Sequence, residues 1–395
     1  MASGSVTHEE TAFHHRTHRG LVWSVVGSAA VGRRIDAIVV PTIRPPAFLS
    51  EAAGLALALD CPLLTFHSGP ATSAEMVRDY LPAKVDLIAV DMRPREELSL
   101  PRLKTCELLG DGIFKRTSDL SVKRNLALVL ARQLGWSRIL YLDDDITELS
   151  PDSVDKASGL LDTYNAVGFW IGGYPDNSVV CHAYREAGGR QESFVGGGAL
   201  AVEVSRCDSF FPDVYNDDWF YLLDGNAGLQ PTAIVGEVKQ RPYDPFRNPE
   251  RARSEELGDV LAEGLYWLLD RDGSIAGADE DHWRNFLLWR RSFITSVAAM
   301  VRESSLPDAG KARMQASLQA SLGRLEHITP AFCASYLQAW QADRARWRAY
   351  LASLPRCEQR SEAIAGLWRN GRQRRARRAG RSAGSSRSQR CTTHS

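Results

Sequence analysis

Between Arg34 and Leu142 the chain alternates short apolar runs with segments of helical composition, and few patterns restrict a fold further. "RIDAIVVPTIRPP" carries a continuous β-branched run, the mark of a strand buried on both faces, and Pro45 and Pro46 end it. "FLSEAAGLALALD" then reads as a helix, "CPLLTF" as a strand, "SAEMVRDYL" as a helix and "KVDLIAVDM" as a third strand. Such alternation demands parallel pairing through right-handed crossovers, hence an α/β fold. The next helix is the best marked. "SVKRNLALVLARQLG" opens on Ser121 as expected N-cap, aligns Val122, Leu126, Leu130 and Leu134 on one face, and stops at Gly135.

That helix feeds the strand "RILYL" and then Asp143, Asp144 and Asp145. Three adjacent carboxylates repel one another, so a compensating cation is expected. In open α/β sheets ligands gather beyond the carboxyl ends of strands, where these residues stand. An Asp-x-Asp there suits a hard divalent ion, Mn²⁺ or Mg²⁺, which keeps several waters and takes phosphate oxygens at its remaining positions. The preceding helix carries Lys123, Arg124 and Asn125 in its first turn, where free N–H groups already favour an anion. Cations at that end oppose the helix dipole, which is the reason to expect a diphosphate beside them. A helix can also hold bases there with no ligand.

Charge narrows the partners. The formal net charge of +0 conceals nine arginines and no acid between Arg369 and Arg390, so the rest of the chain has 39 bases against 48 acids, a balance of −9. An acidic body with a basic tail is a poor nucleic-acid-binding domain, and no stable nucleic-acid partner is expected. Seven cysteines with no CxxC pair read as reduced cytoplasmic thiols and argue against a zinc site. "GLVWSVVGSAAVG" has the length of a signal-peptide core, but Glu9 and Glu10 precede it and "RRIDAIVV" follows at once. No run is long enough to span a membrane, so a cytoplasmic location is expected.

Past the aspartates the pattern changes. "AVGFWIGG", "NSVVCHAYR" and "SFVGGGALAVEV" look strand-like with no long helices between them, which implies a mixed or antiparallel half. Gly196, Gly197 and Gly198 permit close backbone approach to a ligand, or merely a bend. "FPDVYNDDWFYLLD" places Asp217 and Asp218 at the start of a short helix, "TAIVGEV" reads as a strand, and Asp279 to Leu367 is helical in pattern. Trp283, Trp289, Trp340 and Trp347 are expected to pack between those helices. The expected divisions are a poorly ordered 1–32, with His14, His15 and His18 read as a solvated cluster in preference to a metal site, an α/β domain over 33–245, a helical region over 246–368 and a disordered basic tail over 369–395.

"KRNLALVLARQLGWSRILYLDDDI", followed by "FVGGGALAV" and "FPDVYNDDWFYL", resembles the nucleotide-diphospho-sugar transferases of GT-A fold, family 2 glycosyltransferases above all, over about residues 34 to 240. The resemblance implies a Rossmann-like parallel sheet joined to a mixed acceptor half. It further implies a metal-dependent transfer of a sugar from a UDP- or GDP-sugar donor to a hydroxyl-bearing acceptor. By resemblance Asp145 meets the metal, Asp143 the ribose or sugar hydroxyls, and Asp144 could replace either. Gly197 and Gly198 would lie beside the donor sugar, and one of Asp217 and Asp218 would be the general base. The Asp that such enzymes usually carry after the second strand is missing; "LLTFHSG" offers His67 and Ser68, leaving Thr42, Arg44 and Asp91 as candidates for holding the base. His282 in "DEDHW" could add a third metal ligand, as in some retaining relatives, or simply begin a helix.

Two other classes stay open. "ILYLDDDIT" also satisfies the Asp-x-Asp-x-Thr pattern of haloacid-dehalogenase-like phosphohydrolases, with Asp143 as nucleophile, Asp145 as acid/base and Asp217 with Asp218 as magnesium ligands. That motif normally follows the first strand of its domain, whereas here three strands precede it. The remaining reading is a non-catalytic nucleotide-binding protein of the same fold.

Overall fold

The computed structural model describes residues 14, 15, 17–25 and 34–368, apart from 111, 175–177, 193, 207, 226 and 272. The basic tail and the rest of the N-terminal region lie outside the described residues. In chain order the elements are β1 (Trp23–Ser24), β2 (Ala37–Thr42), α1 (Ser50–Leu59), β3 (Leu63–His67), α2 (Ala74–Tyr80), β4 (Leu87–Asp91), α3 (Lys104–Leu109), α4 (Leu120–Leu134) and β5 (Arg138–Leu142). Then come β6 (Ile146–Thr147), α5 (Pro151–Leu160), β7 (Ala166–Gly173), α6 (Val179–Glu186), β8 (Ala199–Glu203), α7 (Asp217–Leu222) and β9 (Thr232–Gln240). Five helices follow: α8 (Pro249–Leu269), α9 (Glu280–Glu303), α10 (Asp308–Leu325), α11 (Pro330–Ser353) and α12 (Arg360–Gly366).

One sheet runs β1-β9-β7-β8-β5-β2-β3-β4, with β6 against β9. β5, β2, β3 and β4 are parallel, β8 is antiparallel to both β5 and β7, and β9 returns parallel to β7. This is the parallel half joined to a mixed half that the sequence resemblance implies. The strands explain themselves by period two. Ala37 and Val39 of β2 join the core under α4 and the C-terminal helices, while Ile38 and Val40 join the core under α1, α2 and α5. Both faces are dry, so the run is apolar throughout. Trp283, Trp340 and Trp347 are fully buried between helices, as expected, and Trp289 packs partly buried against them.

Three local expectations change. "NSVVCHAYR" is the helix α6, with Ser178 Oγ capping the Cys181 N–H; every residue from Val179 to Tyr184 is buried, and a short run buried on all sides shows no period that separates helix from strand. Helix α4 begins two residues earlier than Ser121 implied. Asp119 holds the N-cap position without a side-chain cap, and Ser121 lies inside, donating to Asp213 at 3.3 Å. His14, His15 and His18 are buried, not a solvated cluster. His18 stacks on Tyr266 with 4.6 Å between ring centroids, and its Nδ1 accepts the Val195 N–H at 3.2 Å.

Candidate active site

The order β5-β2-β3 makes a topological switch point at the carboxyl end of β2, where a ligand crevice is expected. Thr42 ends β2, His67 ends β3 and Asp91 ends β4, while Asp143, Asp144 and Asp145 leave β5. At this edge Thr42 Oγ1 donates to Asp144, and Arg44 forks between Asp144 and Asp145, 2.9 Å from the Asp145 carboxylate. Arg44 keeps about a third of its side chain exposed and stands on the open side of the crevice. Lys123, in contrast, is almost wholly buried and fully engaged. Its Nζ reaches Thr42 O at 3.0 Å, Ser68 Oγ at 2.6 Å and Asp119 at 3.0 Å, so it ties β2 to the loop after β3.

The neighbouring bases are turned inward as well. Asn125 clamps the Phe211 backbone with both halves of its amide, at 2.7 and 2.9 Å. Arg124 meets Asp217 at 3.0 Å, Asp143 at 3.4 Å and Asp218 at 3.9 Å, joining the two acidic clusters that the sequence keeps 70-odd residues apart. Burial opposes its charge, but these three carboxylates hold the guanidinium ionised. The glycines make this possible. A Cβ on Gly197 would lie 2.4 Å from the Arg124 guanidinium carbon, and one on Gly196 would lie 2.5 Å from Asp218 Oδ2. The close approach foreseen for this run is thus to Arg124 and Asp218. A Cβ on Gly198 would stand 3.5 Å from Asp143.

Asp217 and Asp218 are aimed by an unusual turn. Asn216 precedes α7 in the left-handed region at φ 58°, makes no side-chain cap, and donates from Nδ2 to Asp259 at 2.8 Å. The ordinary Asn-capped helix start is therefore absent. Asp218 spends both oxygens on backbone N–H groups, Gly197 at 2.7 Å and Trp219 at 3.0 Å. Asp217 Oδ1 takes Arg124, and its buried Oδ2 has no partner. Burial pushes the Asp217 carboxyl up to about 6 against the pull of Arg124, with Asp218 adding to the rise.

Asp143, Asp217, Asp218, Arg124, Arg116, Tyr215 and Gln240 surround one cavity of about 80 Å³. Arg116 and Gln240 stand outside the acidic motifs and carry no sequence signal that marked them, and Tyr215, within "FPDVYNDDWFYLLD", is an aromatic that the acidic pattern did not single out. Gln240 ends β9, its Oε1 is buried without a partner, and its Nε2 lies 3.4 Å from Asp145. Five carboxylates here share two arginines, Arg44 and Arg124. That surplus of negative oxygen donors, with the unpartnered amide oxygen of Gln240 at the same cavity, fits a hard divalent cation.

Other candidates fall elsewhere. Asp91 Oδ1 accepts the Ala74 N–H at 2.7 Å and so ties down the start of α2. His282 sits in the first turn of α9, its N–H capped by Asp279, among Trp267, Trp283 and Phe286. It does not line the cavity that holds Asp143, Asp217 and Asp218.

No family model and no curated protein matches this chain. Solved structures similar to it include a mannosyltransferase from Pyrobaculum calidifontis in complex with GDP-Man and Mn²⁺, at 14% identity and TM-score 0.41, covering 82% of this chain and 90% of that one. A mannosyl-3-phosphoglycerate synthase from Rubrobacter xylanophilus matches at 10% identity and TM-score 0.34, over 57% and 73%. A nucleotide-diphospho-sugar transferase from Desulfovibrio desulfuricans G20 matches at 10% and 0.31, over 52% and 82%. Likeness this distant carries no weight beside the strand order and the site.

Proposed function

We propose that this chain is a metal-dependent glycosyltransferase, moving a sugar from a nucleoside diphosphate donor to a hydroxyl acceptor. The supporting observation is the meeting of Asp143 with Asp217 and Asp218 through Arg124, beside Asp145 held by Arg44, at the switch point of the sheet. Asp143 and Asp145 are the residues that would hold Mn²⁺ or Mg²⁺. When bound, such an ion supplies positive charge against the departing diphosphate.

The protein's own groups do the rest. Arg44, on the open side of the crevice, exchanges its carboxylate partners for diphosphate oxygens, a bidentate match of fork to anion. Thr42 and Lys123 keep β2 and the loop after β3 in register beneath it. Asp217 accepts the acceptor's proton at Oδ2, the oxygen with no other partner, and its raised pKa suits that task. Asp218 fixes Gly197 and so the floor under the sugar.

The test is incubation with UDP- and GDP-sugars and Mn²⁺. Slow release of nucleoside diphosphate is expected without acceptor, stopped by a chelator and restored by Mn²⁺ or Mg²⁺. Phosphate release from sugar phosphates with no donor turnover would establish a phosphohydrolase instead. Tight nucleotide binding with neither activity would make the protein a non-catalytic binder. Arg44→Ala is expected to weaken diphosphate binding by roughly tenfold or more while scarcely changing binding of the free nucleoside, read by calorimetry. Equal losses for both ligands would remove Arg44 from the phosphate site.

A further inference from the structure

Away from the sugar site, the N-terminal segment meets α6 and α8 at a cluster the proposed reaction does not use. His14, Cys181 and Glu263 are buried there, and among the described residues they are the one group of three His, Cys or acidic side chains whose ligand atoms lie within 4.8 Å of one another. His14 Nδ1 is 3.1 Å from Glu263 Oε2, Cys181 Sγ is 3.6 Å from Glu263 Oε1, and Sγ is 4.0 Å from His14 Nε2. The other contact of His14 Nε2 is the Gln191 amide oxygen.

These spacings have a chemical reading. A tetrahedral zinc with Zn–S near 2.3 Å and Zn–N or Zn–O near 2.0–2.1 Å places neighbouring ligand atoms about 3.5 Å apart, and it would take one nitrogen of His14, one oxygen of Glu263 and the Cys181 sulfur, which lie within 4.8 Å of one another. A thiol, an imidazole and a carboxylate are the ligand types zinc takes, and the Gln191 oxygen or a water can complete the four. The electrostatics point the same way. Glu256, Asp259 and Glu263, all within 2% of full burial, share the single guanidinium of Arg290 at 2.8, 2.8 and 3.3 Å. Three acidic side chains thus face a single guanidinium in a dry interior. A zinc ion that takes Cys181 as thiolate, releasing the thiol proton to solvent, adds one positive charge to that cluster. Arg290 already steadies the Glu263 carboxylate at Oε2, as an outer partner of a metal ligand does.

We propose that His14, Cys181 and Glu263 form a structural zinc site that pins the N-terminal segment to α6 and α8. The dispersed cysteines had argued against such a site, because ligands 167 and 82 residues apart leave no spacing motif. The pinned segment matters to its surroundings. His18, four residues on, packs edge-on against Phe194 and Trp219, which line the sugar-site cavity.

The test uses the full chain, purified, stripped with a chelator and titrated with Co²⁺. One tightly held equivalent with a thiolate-to-cobalt charge-transfer band in the near ultraviolet is expected, displaced by Zn²⁺. Cys181→Ser should abolish the band, and His14→Ala should weaken Co²⁺ uptake while circular dichroism stays native. A band that survives Cys181→Ser, or no stoichiometric uptake, would overturn the site and leave a plain hydrogen-bonded cluster. Carboxylate binding at Asp143 and Asp145 gives no thiolate band, so the result stands apart from the fate of the glycosyltransferase reading.

Discussion

Arg124→Met is expected to cost about 3–5 kcal/mol of stability in urea unfolding, the largest loss from any single change at the site. The reason is accounting of charge in a dry place. Arg124 has 3% of its side chain exposed and is the shared partner of Asp143, Asp217 and Asp218. Methionine fills the volume but leaves three carboxylates facing one another without the cation they share. The variant should therefore be worse at pH 8 than at pH 5. Carboxyls deprived of their partner titrate higher in the folded state than in the unfolded one, so the folded state binds protons preferentially and stability falls as pH rises through that range. Arg124→Lys should recover only part of the loss, because an ammonium cannot fork among three acceptors. A variant that melts like the wild type but no longer binds donor would instead make Arg124 a ligand-contacting group, as its place in the first turn of α4 first implied.

That contrast shows what a sequence can and cannot carry. The strand and helix alternation up to Leu142 was legible because both faces of a parallel sheet are buried, and burial writes itself as composition. The place of the aspartates followed from the same pattern, since the end of an apolar strand is visible in the chain. The direction of a side chain was not. Lys123, Arg124 and Asn125 stand on consecutive positions of one turn, about 100° apart, and the helix buries all three, so each finds a different partner: Ser68, Asp217 and the Phe211 backbone. A run of polar residues at a helix start looks solvent-facing from sequence alone. Arg44 was named only as a loose base-binding candidate, yet its fork between Asp144 and Asp145 makes it the exposed cation of the crevice. The histidine cluster at the N-terminus failed for a related reason. Its burial depends on Tyr266 and Trp219, more than 200 residues downstream, and no local window contains them.

Asp217→Asn and Asp218→Asn should part company. Asp217 has the one unengaged carboxylate oxygen of the pair, and a general base must offer such an oxygen to the proton it removes. Its asparagine variant should bind donor normally and lose transfer by a factor on the order of a hundred or more. Stability supplies the second readout. Because the folded pKa, about 6, lies above the ordinary aspartate value of 3.8, the charged form is disfavoured by folding. The stability penalty grows as pH rises from about 4 to 6 and is complete at neutral pH, since the folded state binds more protons over that window. Asparagine removes the charge. Asp217→Asn should therefore melt no lower than the wild type at pH 7, even as its turnover collapses, and its advantage should vanish below pH 4. Asp218→Asn should behave in the opposite sense. Its two oxygens accept the Gly197 and Trp219 N–H groups, so an amide nitrogen in either position faces a donor with a donor, and both melting temperature and donor affinity should fall together. If Asp217→Asn turned over normally while Asp218→Asn lost transfer with a native melting curve, the roles would be exchanged, and the proton acceptor would be the carboxylate now assigned to the glycine floor.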